Sequence, residues 1–314
     1  MTRAPVEAGR VLVIKLGALG DFIQALGPMR AIRDAHPDAE ITLLTTAPFA
    51  PLGEACGLFD AVWTTVRTRD PRKLWALRRR LIGGRFEMIY DLQTSDRSSL
   101  FWRLMWPRRP KMSGIARGCS HPHDNPARDR MHTAERQRDQ LARAGIADVP
   151  APDLSFIEAD LSGFDPPERF ALLVPGGAAH RPEKRWPVER FAELARRLAA
   201  ERMTPVLIGA GADATATGAI KQACAPAVDL TGRTDFLTLG ALARRAALAV
   251  GNDTGPMHLF AAAGCPSLVL YGPASDPALC GQRGPAVDIL RVADLGALDV
   301  ETVLSRARAL SAAA

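Results

Sequence analysis

The sequence predicts an α/β protein made of two Rossmann-like domains, each built on a parallel sheet. Short apolar runs alternate with helical patterns through residues 11–144, and the alternation starts again at Phe170. Strands that alternate with helices favour a parallel sheet covered on both faces. A stretch rich in Pro and acidic residues, 147–168, interrupts the pattern and is typical of a linker. We expect the two domains to face a central cleft with the carboxyl ends of their strands.

In the first half, the glycine turn after the first apolar run leads into helical spacing over residues 19–35. Strands are predicted at 11–15, 41–44, 61–66, 87–91 and 112–115. Further helices are predicted at 72–82, 96–105 and 132–144, and a polar, Pro-bearing loop at 117–130. The first predicted domain is 1–155.

In the second half, the same alternation gives a domain over 166–298, followed by a C-terminal helix at 299–314. Strands are predicted at 170–174, 205–209, 227–230, 247–251 and 267–271. Helices are predicted at 187–201, 213–224, 235–245 and 255–263.

Composition excludes several classes of protein. No apolar run reaches the roughly 20 residues of a spanning helix, and the first ten residues lack a signal-peptide core. The five Cys include no C-x-x-C pair, so they predict buried thiols and not a disulfide framework or a zinc site. D-x-D, H-E-x-x-H, G-K-[ST] and G-x-S-x-G motifs are absent. We therefore expect a cytoplasmic protein without a metal ion or a cofactor.

Positive charge is concentrated in one segment. Residues 67–117 hold fourteen Lys and Arg against four Asp and Glu, an excess of +10 in a chain of net charge +6. Such a segment favours an anionic partner, phosphate-rich lipid or nucleic acid. Trp75, Trp102 and Trp106 lie among these cations, which suits peripheral contact with an anionic membrane. The alternative is an ordinary solvated surface, because Arg is the default cation throughout this chain.

The first motif is K-L-G-A-L-G-D at 15–21, where a strand is followed by a helix. Its two glycines allow backbone to approach a ligand, but the spacing is not the G-x-G-x-x-G of a dinucleotide site. An acid at that helix start would repel a pyrophosphate. Asp21 could instead take a proton from a hydroxyl, or could be an ordinary acid of a first helical turn.

Three further motifs lie at strand ends in the second half. P-G-G-A-A-H-R-P-E-K-R-W-P at 175–187 combines backbone amides with the side chains of His180, Arg181, Lys184 and Arg185. This combination suits a phosphate-binding loop, and the alternative is a solvated basic loop. G-N-D-T-G-P-M-H at 251–258 starts a helix that Asp253 or Thr254 could cap, with His258 one turn further on. G-A-G-A-D at 209–213 places Asp213 where it could accept ribose hydroxyls.

These motifs resemble those of glycosyltransferase family 9, the bacterial lipopolysaccharide heptosyltransferases, over nearly the whole chain. The most specific matches are VLVIKLGALGD at 11–21, DLQTSDRSS at 91–99, KRWPVERFAELA at 184–195 and GNDTGPMHLFAAAGCPSLVLYGP at 251–273. The resemblance implies the two-domain GT-B fold.

The resemblance also implies roles for individual residues. Asp21 matches the catalytic base and Lys184 the lysine on the donor diphosphate. The remaining donor-binding residues are predicted to be Arg181, Asp213, Asp253, Thr254, Gly255 and His258. The acceptor-binding residues are predicted to be Lys15, Gly17, Gly20, Gln93 and Arg97.

The same resemblance implies an inverting transferase that moves heptose from ADP-heptose to the anionic inner core of lipopolysaccharide. The missing D-x-D motif predicts that it needs no metal ion, and the Arg- and Trp-rich segment predicts peripheral contact with the inner membrane. One alternative is a family member that uses another nucleotide sugar, and another is a GT-B-like sugar-nucleotide epimerase. The sequence lacks the G-x-G-x-x-G fingerprint that a dinucleotide-dependent oxidoreductase would need. A nucleic-acid-binding protein would leave the glycine-and-acid turns unexplained, so no nucleic-acid partner is expected.

Overall fold

The computed structural model describes residues 6–177 and 181–313. It divides the chain into two compact units, Met1–Phe156 and Ile157–Ala314, called here the first and the second unit. Each unit contains one sheet of six parallel strands. The predicted α/β class with two Rossmann-like sheets is confirmed.

The sheet of the first unit has the order β3-β2-β1-β4-β5-β6. Its strands are β1 Arg10–Ile14, β2 Glu40–Thr45, β3 Ala61–Thr64, β4 Met88–Asp91, β5 Lys111–Gly114 and β6 His121–Pro122. Its helices are α1 Leu19–Gln24, α2 Leu26–Ala35, α3 Ala50–Ala55, α4 Pro71–Gly83, α5 Asp96–Leu104 and α6 Thr133–Arg143.

The sheet of the second unit has the order β12-β11-β10-β7-β8-β9. Its strands are β7 Phe170–Val174, β8 Thr204–Leu207, β9 Val228–Asp229, β10 Leu248–Asn252, β11 Ser267–Tyr271 and β12 Val287–Arg291. Its helices are α7 Val188–Ala200, α8 Ala214–Ala223, α9 Phe236–Arg245, α10 Gly255–Ala262, α11 Pro277–Cys280 and α12 Val300–Ala313.

Numbered within each unit, both sheets have the strand order 3-2-1-4-5-6 of the doubly wound dinucleotide-binding fold. The central strands are apolar and buried on both faces, as β1 and β7 show. In such sheets ligands bind beyond the carboxyl ends of the strands where the order reverses, which is between β1 and β4 in the first unit and between β7 and β10 in the second.

Helical spacing over 19–35 predicts one helix, but the structure has two, α1 and α2. Pro28 explains the break, because it cannot donate a hydrogen bond to residue 24 and its ring crowds that carbonyl. The short strand β6 lies within the predicted loop 117–130, and the half-buried edge strand β12 and the short helices α3 and α11 have no counterpart in the prediction.

All five cysteines are free thiols, four of them buried and Cys280 half-buried. Over residues 6–177 and 181–313, no helix is long and apolar enough to cross a bilayer.

Candidate functional site

In the first unit, the K-L-G turn after β1 is tied to the D-L-Q segment at the end of β4. The buried Lys15 Nζ donates to the Leu92 carbonyl at 3.2 Å, and the Leu16 amide donates to Gln93 Oε1 at 2.8 Å. Gln93 is itself held in place, because its backbone amide donates to Asp91 Oδ1 at 3.1 Å. The two strands that flank the reversal of strand order therefore carry one hydrogen-bonded network.

The turn that leads to Asp21 requires glycine at position 17. Gly17 has φ +120°, and a Cβ there would lie 2.5 Å from the ring of Phe49. Gly20 is buried inside α1, and Asp21 is half-buried in the first turn of that helix. The turn thus places the Asp21 carboxylate just beyond the carboxyl end of β1.

Lys15 and Asp91 are both buried beneath this turn. Burial lowers the pKa of Lys15, and the opposing charges of Asp21 and Asp91 only partly offset that effect. Burial raises the pKa of Asp91 from its ordinary 3.8 to about 6. The sequence predicts Lys15 as an acceptor ligand, whereas its Nζ lies within the protein and donates to a backbone carbonyl. There it holds the turn in place and attracts the Asp21 carboxylate electrostatically.

Asp91 makes the free energy of unfolding depend on pH. Its folded pKa of about 6 exceeds its unfolded value, so the folded state takes up the proton first and Asp91 favours folding most at low pH. That contribution is lost as pH rises from about 4 through about 6. Asp91→Asn should flatten the stability–pH curve over this interval in urea unfolding at fixed ionic strength. The control Asp96→Asn, an exposed acid of the same motif, should keep the wild-type curve, and a wild-type curve for Asp91→Asn would contradict this account.

Two partly buried arginines add positive charge to this end of the first unit. Burial lowers the pKa of Arg136, a change that the Asp21 carboxylate opposes, so the two side chains interact electrostatically. Arg97 on α5 has its guanidinium 5.6 Å from the Phe101 ring, and its buried Nη2 bonds to no residue that the structure describes. Arg97 is a predicted acceptor ligand, whereas Arg136 carries no motif in the sequence.

In the second unit, the central interaction is an ion pair between two motifs. Lys184 Nζ donates to Asp253 Oδ2 at 2.9 Å, and the two side chains are 16% and 9% exposed. Lys184 lies in the loop after β7 and Asp253 follows β10, so the pair joins the two strands at the reversal of strand order.

The other carboxylate oxygen of Asp253 is also held. Gln282 Nε2 donates to Asp253 Oδ1 at 3.4 Å, and the Tyr271 hydroxyl donates to Gln282 Oε1 at 2.9 Å. Burial disfavours the ionised form, but hydrogen bonds, foremost that from Lys184, hold the pKa of Asp253 below its usual value. Asp253 is therefore an anion in a fixed position.

Helix α10 begins immediately after this pair. Thr254 occupies its N-cap position, but the Thr254 side chain caps no helix amide, and its buried Oγ1 bonds to no described residue. The prediction that Asp253 or Thr254 caps the helix is wrong, because Thr254 holds the N-cap position without a cap hydrogen bond and Asp253 precedes that position, bonded instead to Lys184 and Gln282. Gly255 is the first helical residue, and His258 is buried in the next turn. The first amides of α10 therefore lack a side-chain cap.

The glycine loop after β7 brings Asp213 and Arg185 toward α10. A Cβ on Gly176 would lie 2.5 Å from the Asp213 carboxylate, so this close approach requires glycine. Arg185 Nη2 donates to the Gly177 carbonyl at 2.5 Å and lies 3.9 Å from Asp213 Oδ1. Asp213 Oδ2 also accepts from the Ala210 amide at 3.0 Å.

Arg181 has a different set of contacts. Its Nη2 donates to the Ala274 carbonyl at 3.0 Å, and its Nε lies 3.5 Å from Glu183 Oε1. His180 of the same motif lies outside the described residues.

Asn252, which the sequence reasoning missed, holds the loops of this site together. Its side chain is fully buried, donates to the carbonyls of Pro175 and Gly176 at 2.9 and 3.1 Å, and accepts from the Trp186 amide at 2.9 Å. One amide side chain thus joins the end of β10 to both ends of the basic loop. Its place beside Asp253 in the G-N-D-T-G motif was the signal that could have identified it.

Asn252→Ala should lower the free energy of unfolding by about 1–3 kcal/mol, because it leaves buried backbone groups without partners. Asn252→Asp keeps the acceptor for Trp186 but turns a carboxylate toward two carbonyls, so it should cost more at neutral pH than in mild acid. Urea unfolding at both pH values measures these effects. A wild-type unfolding curve for Asn252→Ala would contradict this role.

In the part of the chain that the structure describes, no group of three or more His, Cys, Asp and Glu side chains is placed to hold a metal ion. The charged side chains at this site include Lys184, Arg185, Asp213 and Asp253, and the backbone amides at the start of α10 add polar donors.

Solved structures share this fold over its whole length. A family 9 glycosyltransferase from Veillonella parvula has a TM-score of 0.87 at 21% identity, with 100% of both chains covered. An E. coli heptosyltransferase solved with ADP-2-deoxy-2-fluoro heptose has a TM-score of 0.77 at 21% identity, covering 96% of this chain and 99% of that one. The fold is therefore GT-B, as predicted.

The sequence of this chain specifies the family. Residues 74–299 match the sequence profile of glycosyltransferase family 9 (heptosyltransferase). Lipopolysaccharide heptosyltransferase 1 of Pseudomonas aeruginosa is 28% identical over 301 residues, which cover 88% of this chain and 81% of that protein. The chain belongs to glycosyltransferase family 9, and the prediction of a glycosyltransferase is confirmed.

Proposed function

We propose that this protein transfers heptose from ADP-heptose to the inner core of lipopolysaccharide, with inversion at the anomeric carbon and without a metal ion. The observation that carries the proposal is the Lys184–Asp253 pair at the uncapped start of α10. The names of two relatives support the sugar and the pathway: one is a lipopolysaccharide heptosyltransferase, and the other was solved with an ADP-heptose analogue.

The donor diphosphate would bind to the second unit. Its negative charge suits the Lys184 ammonium, the Arg181 guanidinium and the backbone amides of Thr254 and Gly255 at the start of α10, where the helix dipole favours an anion. Asp253 would orient Lys184 and accept hydrogen bonds from sugar hydroxyls, with His258 as a neighbour, and Asp213 would accept them from the ribose. These cations and amides would stabilise the leaving diphosphate without a metal ion.

The acceptor would bind to the first unit, with its attacking hydroxyl on Asp21. The carboxylate takes the proton as the hydroxyl attacks the anomeric carbon, the bond from that carbon to the donor phosphate breaks, and the diphosphate leaves with the electron pair. Gly17 and Gly20 would allow close approach of the acceptor. Arg97 would bind its anionic groups, and the side-chain amide of Gln93 would bind its hydroxyl groups. Lys15 would support the turn that carries Asp21 from within the protein. An acceptor carried by a glycolipid would also place the protein in peripheral contact with the inner membrane.

Thermal unfolding with a panel of nucleotides tests the donor assignment. A ligand at about 100 times its Kd adds about 2.7 kcal/mol to the free energy of unfolding. ADP and ADP-heptose should raise Tm with and without EDTA, and UDP and GDP should raise it less. A larger shift with UDP or GDP would point to another nucleotide sugar, and a shift that EDTA abolishes would contradict metal independence.

A further inference from the structure

Most of the exposed large apolar side chains of the described residues lie in one segment of the first unit. Val66, Trp75, Leu100 and Trp106 are 61%, 57%, 38% and 63% exposed. They lie on α4, on α5 and in the segments next to these helices, and α4 packs against α5. We call the exposed residues of segment 66–111 the Arg/Trp surface.

The local structure holds this surface in one arrangement. Arg72, Trp75 and Arg79 share one face of α4 at helical spacing, while Leu81 on the opposite face is buried. The Arg79 guanidinium lies 4.8 Å from the Trp75 ring centroid. Arg78 Nη2 donates to the Trp106 carbonyl at 3.0 Å, so the loop after α5 is fastened to α4.

The cations of this surface are not neutralised by the protein. None of the Lys and Arg between 67 and 111 forms an ion pair with a residue that the structure describes, although the positive excess of this segment is larger than the net charge of +6 of the whole chain. In the second unit, by contrast, Arg197, Arg306 and Arg308 are paired with acids. The excess charge is therefore available to an external polyanion.

We propose that the Arg/Trp surface docks on the surface of an anionic phospholipid bilayer, with guanidinium groups on lipid phosphates and the exposed Trp side chains at the level of the headgroups. Tryptophan combines an apolar body with one N–H donor and is enriched at membrane interfaces. Aliphatic Val66 and Leu100 add apolar contact that suits an acyl boundary, whereas nucleic-acid bases could stack only on the two Trp rings. The inference rests on the proposed function only in that a lipid-borne acceptor gives such docking a use.

Cosedimentation with vesicles tests the proposal without any activity assay. The intact protein should bind equimolar phosphatidylglycerol and phosphatidylcholine vesicles, bind pure phosphatidylcholine vesicles weakly, and be released between about 0.1 M and about 1 M salt. Arg72→Glu and the double variant Trp75→Ala, Trp106→Ala should each reduce binding by about tenfold. The controls Arg196→Glu and Leu279→Ala, on the surface of the second unit, should bind like wild type.

Several results would overturn the proposal. These are equal binding to both kinds of vesicle, unchanged binding by the variants, release by inorganic phosphate beyond the effect of matched ionic strength, and binding of single-stranded RNA that vesicles do not displace. Asp21→Asn should bind vesicles like wild type. Arg72→Glu should retain transfer to a deacylated acceptor, so a failure of docking and a failure of the transferase assignment give different results.

Discussion

Asp21→Asn should lower the rate of sugar transfer by about 10² to 10⁴-fold while leaving the affinity for ADP unchanged. The amide has nearly the shape of the carboxylate but cannot take the proton of the acceptor hydroxyl. Asp21 lies on the first unit, whereas the residues proposed to bind the donor lie on the second. The variant therefore separates base catalysis from donor binding.

Steady-state kinetics and calorimetric titration with ADP measure the two quantities. Loss of a favourable helix-dipole contact should cost at most about 1 kcal/mol in stability, so the variant should remain folded. Asp34→Asn is the matched control, because Asp34 is an exposed acid on the neighbouring helix α2. Wild-type turnover by Asp21→Asn would mean that another group is the base.

Lys184→Ala should weaken donor binding and transfer together, with transfer falling by about 10² to 10³-fold. The change removes a cation proposed to bind the diphosphate, and it also leaves the Asp253 carboxylate, 9% exposed, without its counter-charge. Breaking a buried pair in this way costs about 3 kcal/mol or more of folding free energy. ADP should protect this variant less against thermal unfolding than it protects the wild type.

Two further variants separate charge from fold in this prediction. Lys184→Arg keeps a cation within reach of Asp253 and should recover part of the stability and of the ADP affinity. Lys221→Ala removes a lysine of the same unit whose Nζ donates to the carbonyls of Ala225 and Ala227, so it should leave ADP affinity unchanged. Unchanged ADP affinity in Lys184→Ala would exclude Lys184 from the donor site.

The α/β class of both units follows from features that the sequence displays. Each sheet has buried apolar runs separated by amphipathic helices, and this pattern favours a parallel sheet covered on both faces. In the second unit, the motifs that carry Lys184 and Asp253 follow β7 and β10, the strands that flank the reversal of strand order, which is why these two residues meet in space. The Lys184–Asp253 pair joins motifs 69 residues apart for this reason.

Other features of the site depend on packing that no local pattern encodes. Gln282 reaches Asp253 from an irregular segment 29 residues further along the chain, with no motif around it. Lys15 is predicted from the sequence as an acceptor ligand, and only the link between β1 and β4 shows that it is buried, like Asp91. The half-buried edge strand β12 lacks the continuous apolar run by which the central strands can be recognised.

Mass spectrometry of the reaction products tests whether this protein transfers heptose to a lipopolysaccharide acceptor. The intact protein is incubated with ADP-heptose and a lipopolysaccharide inner-core acceptor in EDTA, with parallel samples that lack the acceptor. We expect an acceptor heavier by one heptose with release of ADP, and no conversion of the nucleotide sugar in the absence of acceptor. An altered nucleotide sugar without acceptor would indicate an epimerase, and either that result or the absence of a heptosylated product would contradict the account.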